Sequence, residues 1–235
     1  MGTAPGGGEE RLLTFYLDGA HTEESMVQCG TWFASATAAA AAAAAAREAG
    51  GGGGGGAGLV GGGGNHNGGE ALPPPTRIML FNCMEEREPA RLLKPLAARH
   101  HDRSLVFDSA LFVPLDSGMS LKPSTGDKEN MRWQQTLKGT WDALLSSPPS
   151  SPPAPAPAAA AAPAAAAAAA DAAPSSSSSS PPPPLSEVKP SVAGVIEMLR
   201  QQTRDNPRQR LQVLVTGSLY LVGDVLRTVR RGLPV

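Results

Sequence analysis

The sequence predicts an α/β domain with a mostly parallel sheet and flanking helices, interrupted by disordered low-complexity inserts. Short, nearly continuous apolar runs alternate with helix-like segments, which is the pattern of parallel strands joined by helices. The strand candidates near the two ends of the chain also end in a polar turn that leads directly into a helix start, as ligand-binding strand ends do. The strand candidates are 12–17, 77–82, 211–215 and at least one strand within 104–113.

The helices are predicted from caps and apolar spacing. Thr22 is a suitable N-cap, followed by two acidic residues, with Met26, Cys29 and Phe33 facing the core. Further helices are expected from about residue 88, over about 127–145 and from about residue 191. The last helix is expected over 219–231, with four apolar residues facing inward: Leu219, Val222, Leu226 and Val229.

Low-complexity composition divides the chain. One domain is expected over 9–235, with ordered segments at about 11–48, 76–145 and 188–233. Between them lie a Gly-rich linker at 50–73 and a Pro/Ala/Ser-rich insert at 146–187. Neither composition can bury enough apolar surface to offset its ordering entropy, so both are expected to be disordered and sensitive to proteases.

Charge and cysteine content exclude several function classes. The 235 residues carry 20 basic and 21 acidic side chains, which gives no general attraction to nucleic acid or an anionic membrane. The two cysteines form neither a disulfide framework nor a zinc site, so a reducing compartment and no metal site are expected. The alanine-rich stretches at 34–46 and 154–173 are not expected to span a membrane, and no secretory or transit peptide is expected at the start.

The two strand-end turns are the candidate functional site. Asp18 and His21 are separated by Gly-Ala, so both side chains can reach one ligand; the alternative is that Asp18 satisfies turn amides and His21 packs at a helix start. Thr216-Gly217-Ser218 lets the backbone approach a ligand and offers hydroxyls; the alternative, favoured from these residues alone, is that Ser218 only caps the last helix. The sequence contains no P-loop of the G-x-x-x-x-G-K-[ST] type.

These residues resemble a known family. The segment 16–22, Tyr-Leu-Asp-Gly-Ala-His-Thr, resembles the signature that opens the C-terminal domain of the Mur ligase superfamily, in the version of the folylpolyglutamate synthases. Three further segments agree in the same order: 78–82, 88–96 and 213–226. The last of them, which begins Val-Leu-Val-Thr-Gly-Ser-Leu, is the most specific. The resemblance implies a Rossmann-like domain.

The resemblance also implies a function. Such ligases use ATP and Mg²⁺ to activate the terminal γ-carboxylate of a folate, which the amino group of L-glutamate then attacks. By resemblance, Asp18 would contact ATP, His21 would lie near the reacting phosphate and amino acid, and Ser218 would help hold the glutamate. Folate polyglutamates and L-glutamate would be the substrates, the protein a monomer, and its location the cytoplasm or the mitochondrial matrix.

The sequence departs from the family at three places. The ATP-contacting arginine expected upstream is Ala4, and the Thr-Gly-Asp-Arg-Asp-like stretch is Met-Glu-Glu-Arg-Glu at 84–88. The family's P-loop domain and folate site are missing, so the chain is expected to be a fragment without activity of its own. Two alternatives remain open: a non-catalytic remnant that binds nucleotide, and a low-complexity protein of regulatory assemblies.

Overall fold

The computed structural model of the chain describes residues 12–50, 73–116, 131–147 and 185–231. Within these ranges five strands alternate with five helices. The strands are β1 (Leu13–Leu17), β2 (Thr76–Phe81), β3 (Ser109–Phe112), β4 (Leu185–Val188) and β5 (Leu211–Thr216). The helices are α1 (Glu23–Gly50), α2 (Pro89–His101), α3 (Arg132–Ser146), α4 (Val192–Asp205) and α5 (Leu219–Arg231). Most of the linker predicted at 50–73 and of the insert predicted at 146–187 lies outside the described residues, as does Ala4.

The strands form one sheet in the order β1-β5-β2-β3-β4, and each neighbouring pair is parallel. This confirms the predicted α/β fold. β5, near the end of the chain, lies between β1 and β2, with Val213 opposite both Phe15 and Ile78. The carboxyl ends of β1, β5 and β2 are therefore side by side at one edge of the sheet, although the three strands are far apart in sequence.

Helices cover both faces of the sheet. On one face, Met26, Cys29 and Phe33 of α1 pack with residues of α2 and α3 against the sheet, as their spacing predicts. On the other face, Val195 and Leu199 of α4 pack with residues of α5. Burial of these two apolar faces, worth roughly 25 cal/mol per Å² removed from water, stabilises the three layers.

Two predictions about strands need correction, and one is confirmed. The sequence predicts that β1 is buried on both faces, but it is an edge strand and its residues are only partly buried. The strand predicted within 104–113 is confirmed as β3, while residues 104–108 form a loop from which Leu105 and Phe107 pack in the core. β4 falls largely within the insert predicted at 146–187. Its four residues are too few and too polar to indicate a strand, and its pairing with β3 is a contact that the sequence does not reveal.

Of the four residues predicted to face inward on α5, Val222 and Val229 pack against the core and the two leucines do not. Leu219 and Leu226 are exposed, at 65% and 41%, whereas Leu221 and Val225 are fully buried. The helix has two apolar stripes, and only the packing against β5 and α4 decides which of them faces the sheet.

α1 is the one helix in the described part of the chain whose length and composition would allow it to cross a membrane, over Glu23–Ala46. Alanine accounts for most of this apolar character. The face that carries Met26, Cys29 and Phe33 is packed in the core of the domain. The expectation that the chain has no membrane span stays a prediction.

Candidate functional site

Three loops meet at the carboxyl edge of the sheet. They follow β1, β5 and β2, which are neighbours in the sheet. The first loop carries Asp18 and His21, the second carries Gly217 and Ser218, and the third runs from residue 82 to residue 88. In open parallel sheets, ligands bind at this edge, where neighbouring strands lead into different helices.

Asp18 organises the turn after β1. Its backbone N–H donates to the Val215 carbonyl (3.0 Å) and so continues the ladder with β5. Its carboxylate Oδ1 accepts from the Ala20 N–H (2.9 Å), which is an Asx turn. This is the contact expected from the alternative interpretation, in which Asp18 satisfies the amides of its own turn. The predicted contact with ATP stays a prediction.

His21 stands at the start of α1, whose N-terminus is closed by a reciprocal cap. Thr22 Oγ1 accepts from the Ser25 N–H (3.2 Å), and Ser25 Oγ accepts from the Thr22 N–H (2.9 Å). The ring Nδ1 of His21 donates to the Gly19 carbonyl (3.0 Å). Because a carbonyl can only accept, this bond places the hydrogen on Nδ1 and leaves Nε2 with a lone pair in the neutral ring.

The turn after β5 requires glycine at position 217. Gly217 has a φ of 95°, and a β-carbon there would lie 2.4 Å from the Asn82 carbonyl oxygen. Ser218 Oγ accepts from the Tyr220 N–H (3.2 Å), so this residue does cap α5. The cap leaves the hydroxyl hydrogen of Ser218 for another acceptor. Its predicted role in holding glutamate stays a prediction.

A buried polar contact joins α1 to β5 beneath these loops. Cys29 Sγ donates to Thr216 Oγ1 (3.5 Å), whose hydroxyl donates to Met26 Sδ (3.6 Å). Burial raises the pKa of the Cys29 thiol to about 12 against the lowering effect of Thr216, and the nearby Asp18 carboxylate raises it further. The thiol is therefore protonated at neutral pH and cannot act as a nucleophile.

Two cavities lined by described residues open beside the loops. A smaller one of about 180 Å³, which we call the edge pocket, is lined by residues of all three loops: His21, Met84, Arg87, Gly217, Ser218, Leu219 and Tyr220. A larger one of about 380 Å³, the acidic cleft, lies between the starts of α1 and α2. Its wall includes four glutamates, namely Glu23, Glu24, Glu86 and Glu88. His21 and Arg87 line both cavities.

The structure brings two of the three predicted site residues together. His21 and Ser218 line the edge pocket, whereas Asp18 lines neither of these cavities, although it lies at the same edge of the sheet. Sequence reasoning did not place Arg87 or Tyr220 in the site. Arg87 could have been found, because it follows a strand that ends at the same edge as β1 and β5.

Within the described residues, no group of three or more His, Cys, Asp or Glu side chains could hold a metal ion. The start of α5 offers partial positive charge to an anion at this edge, whereas the first turn of α1 is capped and carries two glutamates. The arrangement can bind and orient a negatively charged ligand beside an imidazole and a guanidinium.

Comparison with known proteins identifies relatives over almost the whole chain. A folylpolyglutamate synthase of Arabidopsis thaliana is 35% identical over 228 residues, which is 93% of this chain and 35% of that protein. A second folylpolyglutamate synthase of the same plant is 33% identical over 227 residues, or 93% of this chain and 34% of that protein. The chain thus spans about a third of the length of these curated relatives. No protein-family model matches it, and the comparison with solved structures found no match.

Proposed function

Since this chain belongs to the folylpolyglutamate synthase family, we propose that it is the C-terminal domain of an ATP-dependent ligase that adds glutamate to folates through γ-linkage. One observation carries the proposal: His21 and Ser218, which the family signature marks as site residues, come from opposite ends of the chain and line one pocket. The proposal includes the family's location in the cytoplasm or the mitochondrial matrix.

The chemistry proceeds in two steps. Transfer of a phosphoryl group from ATP to the terminal γ-carboxylate of a folate gives an acyl phosphate and ADP. The amino group of L-glutamate then attacks the carbonyl carbon, phosphate leaves, and the amine loses a proton as the new amide forms. When Mg²⁺ is bound, it neutralises part of the negative charge of the phosphates. With no suitable donor cluster in the described part of this chain, its ligands would come mainly from the rest of the ligase.

This domain would contribute binding and orientation. Asp18 would contact ATP from the turn after β1. His21 would face the reacting groups with Nε2, since its Nδ1 is held by the Gly19 carbonyl. Ser218 would donate its hydroxyl hydrogen to a carboxylate of glutamate while its oxygen caps α5. Positioning of reactants by such groups contributes to rate only when the P-loop that cradles the phosphates is also present.

The proposal is tested first on the chain itself. Incubated with ATP, Mg²⁺, tetrahydrofolate and labelled glutamate, the purified chain should give no product above the background without enzyme. Product above that background would show a catalytic centre within these 235 residues and would overturn the assignment as one part of a larger site.

A graft tests the assignment positively. Placed behind the N-terminal domain of a family member, with arginine restored at Ala4, the chain should support ligation. Asp18→Asn and His21→Ala should then lower kcat/KM by about 100-fold or more, as loss of a transition-state contact does. The matched control is Asp205→Asn, at the opposite end of the domain in the exposed last residue of α4. An inactive graft would favour a non-catalytic remnant, and unchanged rates in the Asp18 and His21 variants would mean that their roles are wrongly assigned.

A further inference from the structure

The thiol of Cys29 lies between two hydrogen-bond acceptors beneath the candidate site. The side chain is fully buried on the face of α1 that packs against the sheet. Its Sγ is 3.5 Å from Thr216 Oγ1, and it also forms a hydrogen bond with the Asp18 carboxylate. A pKa of about 12 keeps the hydrogen on sulfur at neutral pH, so the thiol can donate to either acceptor.

The carboxylate is the stronger of these two acceptors. A hydrogen bond to an ionised group is roughly twice as strong as one between neutral groups. The Thr216 hydroxyl has a second contact, because it donates to Met26 Sδ (3.6 Å). It therefore keeps a partner when the thiol hydrogen is directed to Asp18. Cys29 thus joins α1 to the carboxylate in the turn after β1.

Asp18 keeps acceptor positions for a ligand in this arrangement. Its Oδ1 accepts from the Ala20 N–H (2.9 Å), and the thiol is the second contact of the carboxylate. An ionised carboxylate can accept about four hydrogen bonds, so these two contacts orient it without saturating it. Asp18 is only partly buried, whereas Cys29 is inaccessible. A ligand at this edge of the sheet would therefore meet the carboxylate and not the thiol.

We propose that Cys29 is a positioning residue of the ligase, whose thiol donates to the Asp18 carboxylate and holds it in the orientation that accepts hydrogen bonds from the nucleotide. This inference rests on the proposed function, in which Asp18 contacts ATP. Cys29 itself touches no substrate. It favours binding because the carboxylate is already oriented before the nucleotide arrives, so less side-chain freedom is lost on association.

The first test compares two substitutions of Cys29 in the grafted ligase. Cys29→Ala removes the donor and should raise the KM for ATP about three- to tenfold with little change in kcat. Cys29→Ser keeps a donor and should hold this KM within about twofold of the unaltered graft. The buried hydroxyl of Cys29→Ser should nevertheless cost at least as much stability in urea as alanine does. If Cys29 were only a packing residue, KM would follow the loss of stability, and a serine variant with a KM as high as that of Cys29→Ala would overturn the inference.

Cys83→Ala is the matched control. Cys83 is buried in the same apolar layer as Cys29, and burial raises its pKa to the same value of about 12. The charged group that acts on its thiol is Arg87 rather than Asp18. The Cys83→Ala graft should lose stability and keep its KM for ATP. An equal rise of KM in both alanine variants, or no rise in Cys29→Ala, would overturn the inference and leave the ligase assignment intact.

A second measurement, on the chain itself, separates this inference from the proposed function. Three-bond couplings about the Cα–Cβ bond of Asp18 report which of the staggered rotamers its side chain occupies. The unaltered chain and Cys29→Ser should show one rotamer, and Cys29→Ala should show averaging among rotamers. An inactive graft would remove the ligase assignment, while these couplings would still decide whether the thiol holds the carboxylate. A single Asp18 rotamer in Cys29→Ala would overturn the inference even in an active graft.

Discussion

Gly19 and Leu219 are in direct contact across the site, since a β-carbon on residue 19 would lie 2.1 Å from Leu219 Cδ2. Gly19 belongs to the turn after β1, and Leu219 is the first residue of α5. The two loops that carry His21 and Ser218 are thus packed against each other without room for another side chain. This contact helps to hold the two loops next to each other.

The two site glycines should differ in their tolerance of alanine. Gly19→Ala should cost less than about 1 kcal/mol, because Leu219 is exposed and can turn away. Gly217→Ala should cost about 3 kcal/mol, because its β-carbon would meet the backbone oxygen of Asn82 and its φ of 95° is strained for alanine. Urea unfolding of the two variants checks this order. Equal losses of unfolding free energy would show that the turn after β5 relaxes more easily than its geometry indicates.

Asn82 should be important for stability although it is not a predicted site residue. It is buried at the end of β2, and its Nδ2 donates to the Val113 carbonyl (2.5 Å) beyond the end of β3. Asn82→Ala leaves that carbonyl without its partner and should lower the unfolding free energy, measured in urea, by about 1–3 kcal/mol. Asn82→Asp is a useful comparison, because it places an acceptor against the carbonyl and should cost at least as much. A fully stable Asn82→Ala variant would contradict the importance of this bond.

Acid should destabilise the fold through His100. Burial lowers the pKa of this ring, the charge of His101 lowers it further, and Asp108 raises it. Its Nδ1 accepts from the Phe107 N–H (3.3 Å), which requires the neutral form. A depressed folded pKa contributes stability that is present above the unfolded pKa of about 6.5 and is lost as pH falls below it.

The comparison variant for this pH effect is His100→Asn, whose side-chain oxygen can accept the same N–H but does not titrate. Between about pH 7 and pH 5, the unfolding free energy of the unaltered chain should fall more steeply than that of His100→Asn. Parallel curves in urea unfolding at each pH would show that the ring is not held neutral.

Neither cysteine should react in the folded protein. Burial raises the pKa of both Cys29 and Cys83 to about 12, partly opposed at Cys83 by the positive charge of Arg87. Since the thiolate is the reactive form, iodoacetamide at about pH 8 should label neither residue in the native chain and both in urea. Mass spectrometry of the labelled chain reads this out. Rapid native labelling of either thiol would show that the core opens readily at α1 or after β2.

The elements that carry long apolar runs or clear caps were predictable from the sequence. β5 is buried along its length, and the Thr22 cap and the inward stripe of α1 follow from local chemistry. β4 was missed because its sequence, Leu-Ser-Glu-Val, has little apolar character and its pairing with β3 comes from tertiary structure.

The candidate site was predictable only in part, because some of its contacts also come from tertiary structure. The turns after β1 and β5 are marked by glycine and by the helix starts that follow. Arg87 follows a strand that is expected to end at the same edge, but its place beside Gly217 and Ser218 depends on β2 lying next to β5, an order in the sheet that no local pattern records. The hydrogen bond from the Ala20 N–H to Asp18 Oδ1 depends on the geometry of the turn. An aspartate followed by glycine allows this geometry but does not require it, so the bond could not be predicted from the sequence.

The bond between Asp142 of α3 and Ser186 of β4 has a consequence for how this chain can vary. These residues lie on the two sides of the Pro/Ala/Ser-rich stretch, so the folded domain itself holds both ends of that stretch close together. Loop-closure entropy then depends only on the logarithm of its length, and each doubling costs about 0.6 kcal/mol. Homopolymeric expansion or contraction at this point is therefore nearly neutral for stability, and tract length can drift between generations while the sheet and its ligand-binding edge stay unchanged.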